Sequence, residues 1–215
     1  MVNVMLKKIL FVSLVLLSFV HMGFAAKLDE EDKVALINFG MSSNFPTYSE
    51  MVNELTKLAP SYVRENIVKD GGLKLLDEDF VTNKLATENI VISKYLDKDT
   101  LKEIGKALGC RYLLLGNVRS ITVEEDGSWY HPNAIKCPIN LLKVKTSIDL
   151  RLVDAETNKI ISAAFSNGVC TNRYSGVSVR LRGYDVSQEA VKKSVETASK
   201  EAVVRLMERL FRKKK

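Results

Sequence analysis

Residues 112–118 read Tyr-Leu-Leu-Leu-Gly-Asn-Val, and a run apolar on both phases of a two-residue period has no face to give to water. Such a strand belongs inside a sheet that is covered on both sides. Residues 143–153 follow a different rule. Val144, Thr146, Ile148, Leu150 and Leu152 take one phase, while Lys143, Lys145, Ser147, Asp149 and Arg151 take the other. That is the period-two signature of a half-buried strand. Turn-forming residues 154–159 follow, and 160–169 returns as the partner of a hairpin.

Helical signals surround these strands. An apolar stripe through Met51, Val52, Leu55, Leu58, Tyr62, Val63 and Ile67 predicts a helix to residue 69, with Pro60 breaking or kinking it and Asp70-Gly71-Gly72 ending it. Residues 33–39 and 73–76 read as strands. Asp77-Glu78-Asp79 opens a helix through residue 87, where negative charge favours a helix N-terminus. A helix over 99–108 stops at Gly109. Asp185 and Gln188 stand at capping-box spacing, and Val191, Val195, Ala198, Ala202, Leu206 and Leu210 then form one stripe along a long closing helix. Residues 119–140 and 171–183 read as irregular or polar. The expected fold is α/β: a single domain with a mixed sheet that includes a C-terminal hairpin, covered by helices and closed by a long C-terminal helix.

The first 26 residues read as a secretory signal. Lys7 and Lys8 precede an apolar run over 9–20, and Gly23-Phe24-Ala25 supplies small residues at the −3 and −1 positions of a cleavage site. The run is shorter than the ~20 apolar residues of a membrane span. No lipobox cysteine follows it, so the expected product is exported, unlipidated and soluble, placed in the periplasm or at the outer membrane. The expected division is signal 1–26 and one domain 27–215. Removing Lys7 and Lys8 lowers Lys plus Arg from 32 to 30 against 26 acids, and net charge from +6 to +4. Much of that excess is Arg209, Arg212, Lys213, Lys214 and Lys215, either a weak contact for anionic lipid or envelope polymer or a solvated helix end. Export argues against nucleic acid as the partner.

Chemistry-bearing motifs are few. Gly105-Lys106-Ala107-Leu108-Gly109 lacks the Gly-Lys-Ser/Thr ending of a phosphate loop, and the three acids at 77–79 have no His or fourth ligand nearby. No cofactor or metal site is expected. His131 is the one histidine after the leader. A hydrolase would need it beside a nucleophile such as Cys137, held by a third group. Trp129-Tyr130-His131 reads more simply as a partner-contact patch, or as Trp129 folding back to cap the core. Cys110 abuts the doubly covered strand and is expected buried. Cys137 and Cys170 flank the hairpin and form the one plausible disulfide. With Val153 opposite Ile160, Cys170 would face about Lys143, so the loop at Cys137 would have to fold back to reach it.

Three passages taken together resemble the curli production assembly/transport component (CsgG-type) superfamily. They are Val34-Ala35-Leu36-Ile37-Asn38-Phe39; Leu73 to Asp77 followed by Ile104 to Val118; and Ile148 to Ser162, with Asn158 where that family usually has Gly. The resemblance implies a periplasm-facing α/β domain without catalytic residues, used for self-assembly or docking. Relatives include the curli secretion pore, activators of penicillin-binding proteins and flagellar envelope proteins. The pore's lipidated cysteine is missing here. Its two membrane hairpins correspond to 119–140 and 171–183, which lack the ~9–11-residue apolar-out alternation of a membrane strand. The resemblance therefore carries the domain and not the pore. It points to a non-enzymatic envelope assembly or docking factor, or to a penicillin-binding-protein activator-like regulator.

Overall fold

The computed structural model describes residues 32–41, 57–92, 96–129, 139–171, 178–181 and 184–211. The leader, and with it the expected cleavage site, lies outside these residues. So does the start of the stripe at Met51, Val52 and Leu55.

Five strands make one mixed sheet in the order β2-β1-β3-β4-β5: β1 (Lys33–Met41), β2 (Lys74–Leu75), β3 (Tyr112–Trp129), β4 (Ile139–Asp154) and β5 (Lys159–Thr171). β1 runs parallel to β2 and β3, whereas β3-β4 and β4-β5 are antiparallel. Four helices accompany it: α1 (Leu58–Asp70), α2 (Glu78–Thr87), α3 (Lys98–Leu108) and α4 (Gln188–Phe211). A short ribbon of β6 (Ser178–Leu181) and β7 (Tyr184–Ser187) leads into α4. The mixed single-domain α/β class expected from the pattern is the class observed.

The doubly apolar run sits where its pattern requires. On one face of the sheet, α1 and α4 cover Val34, Leu36, Tyr112, Leu114, Ile148, Leu150 and Leu152. On the other, α2 and α3 cover Ala35, Ile37, Leu113 and Val153. Burying each such aliphatic side chain contributes ~1.5–3 kcal/mol, so β3 is clamped from both sides. α4 presents Val191, Val195, Ala198, Ala202 and Leu206, the expected stripe. It seats close, because from Ser162 onward β5 turns small residues toward it: Ser162, Ala164, Ser166, Gly168 and Cys170. The Ser166 hydroxyl donates to the Ala198 carbonyl at 2.5 Å, and Thr146 and Ser194 share a buried hydroxyl hydrogen bond of 2.6 Å.

Local chemistry sets the ends of elements. The carboxylates of Asp77 and Asp97 accept from the Phe80 and Thr100 amides and cap α2 and α3. Gly109 closes α3 in the left-handed region at φ 61°. Asn158 takes φ 57° in the β4-β5 turn, which is why Asn or Gly belongs there. Beneath that turn the buried Asp154 carboxylate accepts from the Glu156 and Thr157 amides and from Arg111. Burial raises its pKa, but the Thr157 amide, the Arg111 guanidinium and the Glu156 amide outweigh that and hold it below the usual range.

Several expectations need correction. Pro60 lies in the first turn of α1 as described, and the stretch from Met51 on which the expected break or kink depends lies outside the described residues. Residues 119–129 and 139–140 are not irregular, because β3 and β4 continue as a long hairpin to the Trp129–Ile139 pair. Residues 178–181 and 184–187 likewise pair as the ribbon. α4 is capped by the Ser187 hydroxyl, which accepts from the Ala190 amide at 3.2 Å, and not by Asp185, which lies in β7. The hairpin register also differs. Val153 does oppose Ile160, but a bulge between Leu152 and Val153 shifts the rest, so Cys170 faces Val144 and not Lys143. That puts Cys170 on the phase packed toward α4, partly buried against the core.

Candidate docking face

α2 and α3 cover only the β1 side of the outer sheet face. Among the described residues no helix lies over the rest, which is built by β3 beyond Leu115, by β4 from 143 to 151 and by β5 from 163 to 171. Its side chains are the outward phase of the same alternation that made the core. β4 contributes Lys143, Lys145, Ser147, Asp149 and Arg151; β5 contributes Ala163, Phe165, Asn167 and Val169 opposite them.

The centre of this face is ordered. Asp149 is buried at 8% exposure. Its Oδ2 holds Arg151 Nη2 at 2.7 Å and Arg119 Nε at 3.7 Å, so two guanidiniums converge on one carboxylate oxygen. Both remain half-exposed. The Arg119 guanidinium also lies 5.5 Å from the centroid of the Phe165 ring across β4, a cation–π distance. Phe165 is 40% exposed and its strand neighbour Val169 47%. Beside them Ser147 donates to the Asn167 side-chain carbonyl at 2.6 Å, and Lys145 lies 3.6 Å from Glu124. Three cations, Arg119, Arg151 and Lys145, thus stand with two carboxylates, Asp149 and Glu124, on the face that carries the exposed Phe165 ring. Exposed ion pairs of this kind contribute only ~0–1 kcal/mol each to stability. Their arrangement does more to fix the side chains in place than to hold the fold.

Of the residues singled out in the sequence, Trp129 ends β3 at the far end of the long hairpin. Tyr130, His131 and Cys137 lie outside the described residues, and with them the expected contact patch and Cys137–Cys170 bridge. Arg209 is engaged: its guanidinium donates to the Ala163 carbonyl, and Arg205 donates to the Phe165 carbonyl at 2.8 Å. Arg212, Lys213, Lys214 and Lys215 lie outside the described residues. Cys110 is buried, and desolvation pushes its thiol up to about 11. Among the described residues no cluster of His, Cys, Asp and Glu could hold a metal, and no helix is long and apolar enough to cross a membrane.

Arg119, Asp149, Arg151 and Phe165 are the residues that the sequence reading did not gather. Asp149 and Arg151 were placed correctly on the outward phase, but a charge on that phase reads as solvated. The available signal was Phe165, an aromatic ring on the outward phase of β5.

No protein-family model matches the chain, and no curated protein sequence does. Several solved structures are similar in fold. The hypothetical protein CT253 from Chlamydia trachomatis has 9% identity, covering 85% of this chain and 99% of that one, with a TM-score of 0.49. Lipoprotein GNA1162 from Neisseria meningitidis has 11% identity over 67% and 87%, with a TM-score of 0.44. The LpoB C-terminal domain from Salmonella enterica has 11% identity over 66% and 85%, with a TM-score of 0.43. At these values the likenesses assign no activity, and the CsgG-type reading stays a resemblance of sequence passages.

Proposed function

We propose that this chain is a non-enzymatic extracytoplasmic docking factor that binds an envelope protein through the outer face of β3, β4 and β5. The observation that carries the reading is the Phe165 ring, exposed beside the Arg119 guanidinium, which converges with Arg151 on the Asp149 carboxylate. Arg and aromatic side chains are the residues most enriched at interface hot spots, and rigid ones lose less entropy on association. The export leader supports an envelope location. Of the finer readings, a penicillin-binding-protein activator-like regulator fits better than a pore. The outward face at the root of the long hairpin carries Glu124 and Lys145, charges that suit water or a protein partner more than lipid.

The test is capture from envelope extract on immobilised protein, comparing the parent with Phe165→Ala and Arg151→Ala. A hot-spot truncation costs about 2 kcal/mol or more, so a specifically captured protein should be lost from both variants and kept by Lys84→Ala on the distant α2. Capture unchanged in both variants would remove the outer face from the proposal. The enzymatic alternative predicts hydrolysis of peptidoglycan or esters that disappears in His131→Ala.

A further inference from the structure

The sheet stops early on its β1 side. β2 pairs only Lys33 and Val34, and its last bond runs from the Leu76 amide to the Val34 carbonyl at 2.9 Å. In a parallel ladder the next rung would bring the Leu36 N–H onto the Leu76 carbonyl. That carbonyl instead accepts from Arg64 at 2.8 Å, and the chain turns away at Asp77 into α2. β1 continues to Met41 beside β3 alone. Successive residues of a strand direct their backbone groups to opposite edges, so Leu36 presents its amide to the same side as Val34. Among the described residues no strand pairs with it there, and an unpaired strand edge is a template for another extended chain.

The open edge faces a cleft of about 450 Å³. Leu36 and Ile37 line its floor, Pro60 and Arg64 of α1 form one wall, and Val81 and Leu85 of α2 with Ile92 beyond it form the other. Glu78 of α2 also lines the cleft, and its Oε2 lies 3.4 Å from Arg64 Nε as an ion pair. The cleft thus combines an aliphatic wall with the open strand edge at Leu36 and the Arg64–Glu78 ion pair beside it.

The geometry points to this cleft as a strand-docking groove, in which an extended segment of a partner protein adds to the sheet beside Leu36. Its main chain would offer a carbonyl to the Leu36 amide, and an aliphatic side chain would fill the space between Val81, Leu85 and Ile92. A helix satisfies its own carbonyls internally and cannot serve such an edge. An extended chain supplies acceptors at the spacing of a strand and takes its specificity from pockets for alternate side chains. The groove is remote from Phe165 in the sheet order, so it stands or falls separately from the outer face.

Two measurements test it. In the protein alone, hydrogen exchange followed by NMR should show the Leu36 amide exchanging at least about tenfold faster than that of Ile37, which points toward β3. Equal protection of the two would mean that the edge is already paired and would overturn the proposal. A random-peptide library selected against the protein should then yield aliphatic, proline-poor peptides that slow Leu36 exchange. They should lose about tenfold or more in affinity when one backbone amide is methylated, or against Ala86→Trp, which places a ring at the exposed rim of the groove. Phe165→Ala should bind them as the parent does. Failure to select any peptide that alters Leu36, or equal binding by Ala86→Trp with its fold intact by circular dichroism, would refute the groove.

Discussion

Replacing Gly168 with alanine tests how α4 is held. A Cβ built at Gly168 falls on the backbone carbonyl oxygen of Ser194 and the amide nitrogen of Ala198, with the Ala198 Cα at 3.0 Å. All three are helix backbone, so no side chain can swing aside. Restoring a van der Waals separation of ~3.5 Å would lift α4 by on the order of 1 Å. That would loosen the Ser166–Ala198 and Thr146–Ser194 bonds together with the packing of Ala198 and Ala202. Overpacking a tight core costs about 1–3 kcal/mol, and a rigid backbone obstacle puts this site at the top of that range. Alanine would otherwise be better than glycine in a strand by roughly 0.5–1 kcal/mol, so the net loss should be about 2–2.5 kcal/mol. For a chain of this size that lowers Tm by roughly 4–10 °C. Urea unfolding followed by circular dichroism is the assay, with the outward-facing Val169→Ala as a control expected to fall within about 0.5 kcal/mol. A Gly168→Ala protein as stable as the parent, or more stable, would show that α4 does not rest on β5 as described.

How much of this was legible follows from how local each signal is. The alternation over 143–153 announced both faces of β4 at once, and the apolar run at 112–118 announced its place between two helical layers. Asp77 was readable as a helix start because its partner, the Phe80 amide, is three residues away. Where the deciding contact is distant, the sequence was silent. The stripe Ser162, Ala164, Ser166, Gly168 and Cys170 means nothing until α4 is laid across it. The bulge at Leu152 and Val153, which moved Cys170 from Lys143 to Val144, leaves no mark in residue type. The continuation of β3 and β4 past 119 was missed for a related reason. Its charged and turn-forming residues read as a loop, and only pairing across the hairpin makes them strands. The Arg119–Asp149–Arg151 centre joins two strands that are 30 residues apart at Arg119 and Asp149, so no spacing rule could have assembled it.

Three further outcomes are expected. Asp154→Asn should destabilise the fold by about 2 kcal/mol at neutral pH, since it weakens charge-assisted hydrogen bonds beneath the β4-β5 turn. Because the native pKa of Asp154 is lowered, its contribution is complete above the unfolded value of ~3.9 and is lost as pH falls through the native value. Acid titration of stability should therefore be shallower below about pH 4 in the variant, and an unchanged acid limb would refute the assignment. Cys110, buried and with its thiol raised to about 11, should resist iodoacetamide in the native protein and react once urea unfolds it; rapid native labelling of the Cys110 peptide would place it at the surface. The last concerns the β5 edge. β5 is a long edge strand, and its Phe165 and Ala163 carbonyls accept from Arg205 and Arg209 of α4 instead of from another strand. Unprotected edges of this length template pairing with other chains. Each exposed hydrogen bond contributes only about 0.5–1.5 kcal/mol to folding, so Arg205→Ala/Arg209→Ala should leave Tm within a few degrees of the parent. Its effect should fall on association, where freed carbonyls on two copies can pair β5 against β5. Light scattering over a concentration series should show the double variant self-associating where the parent does not. A double variant that stays as monodisperse as the parent, with its Tm unchanged, would mean that these arginines do not guard the edge.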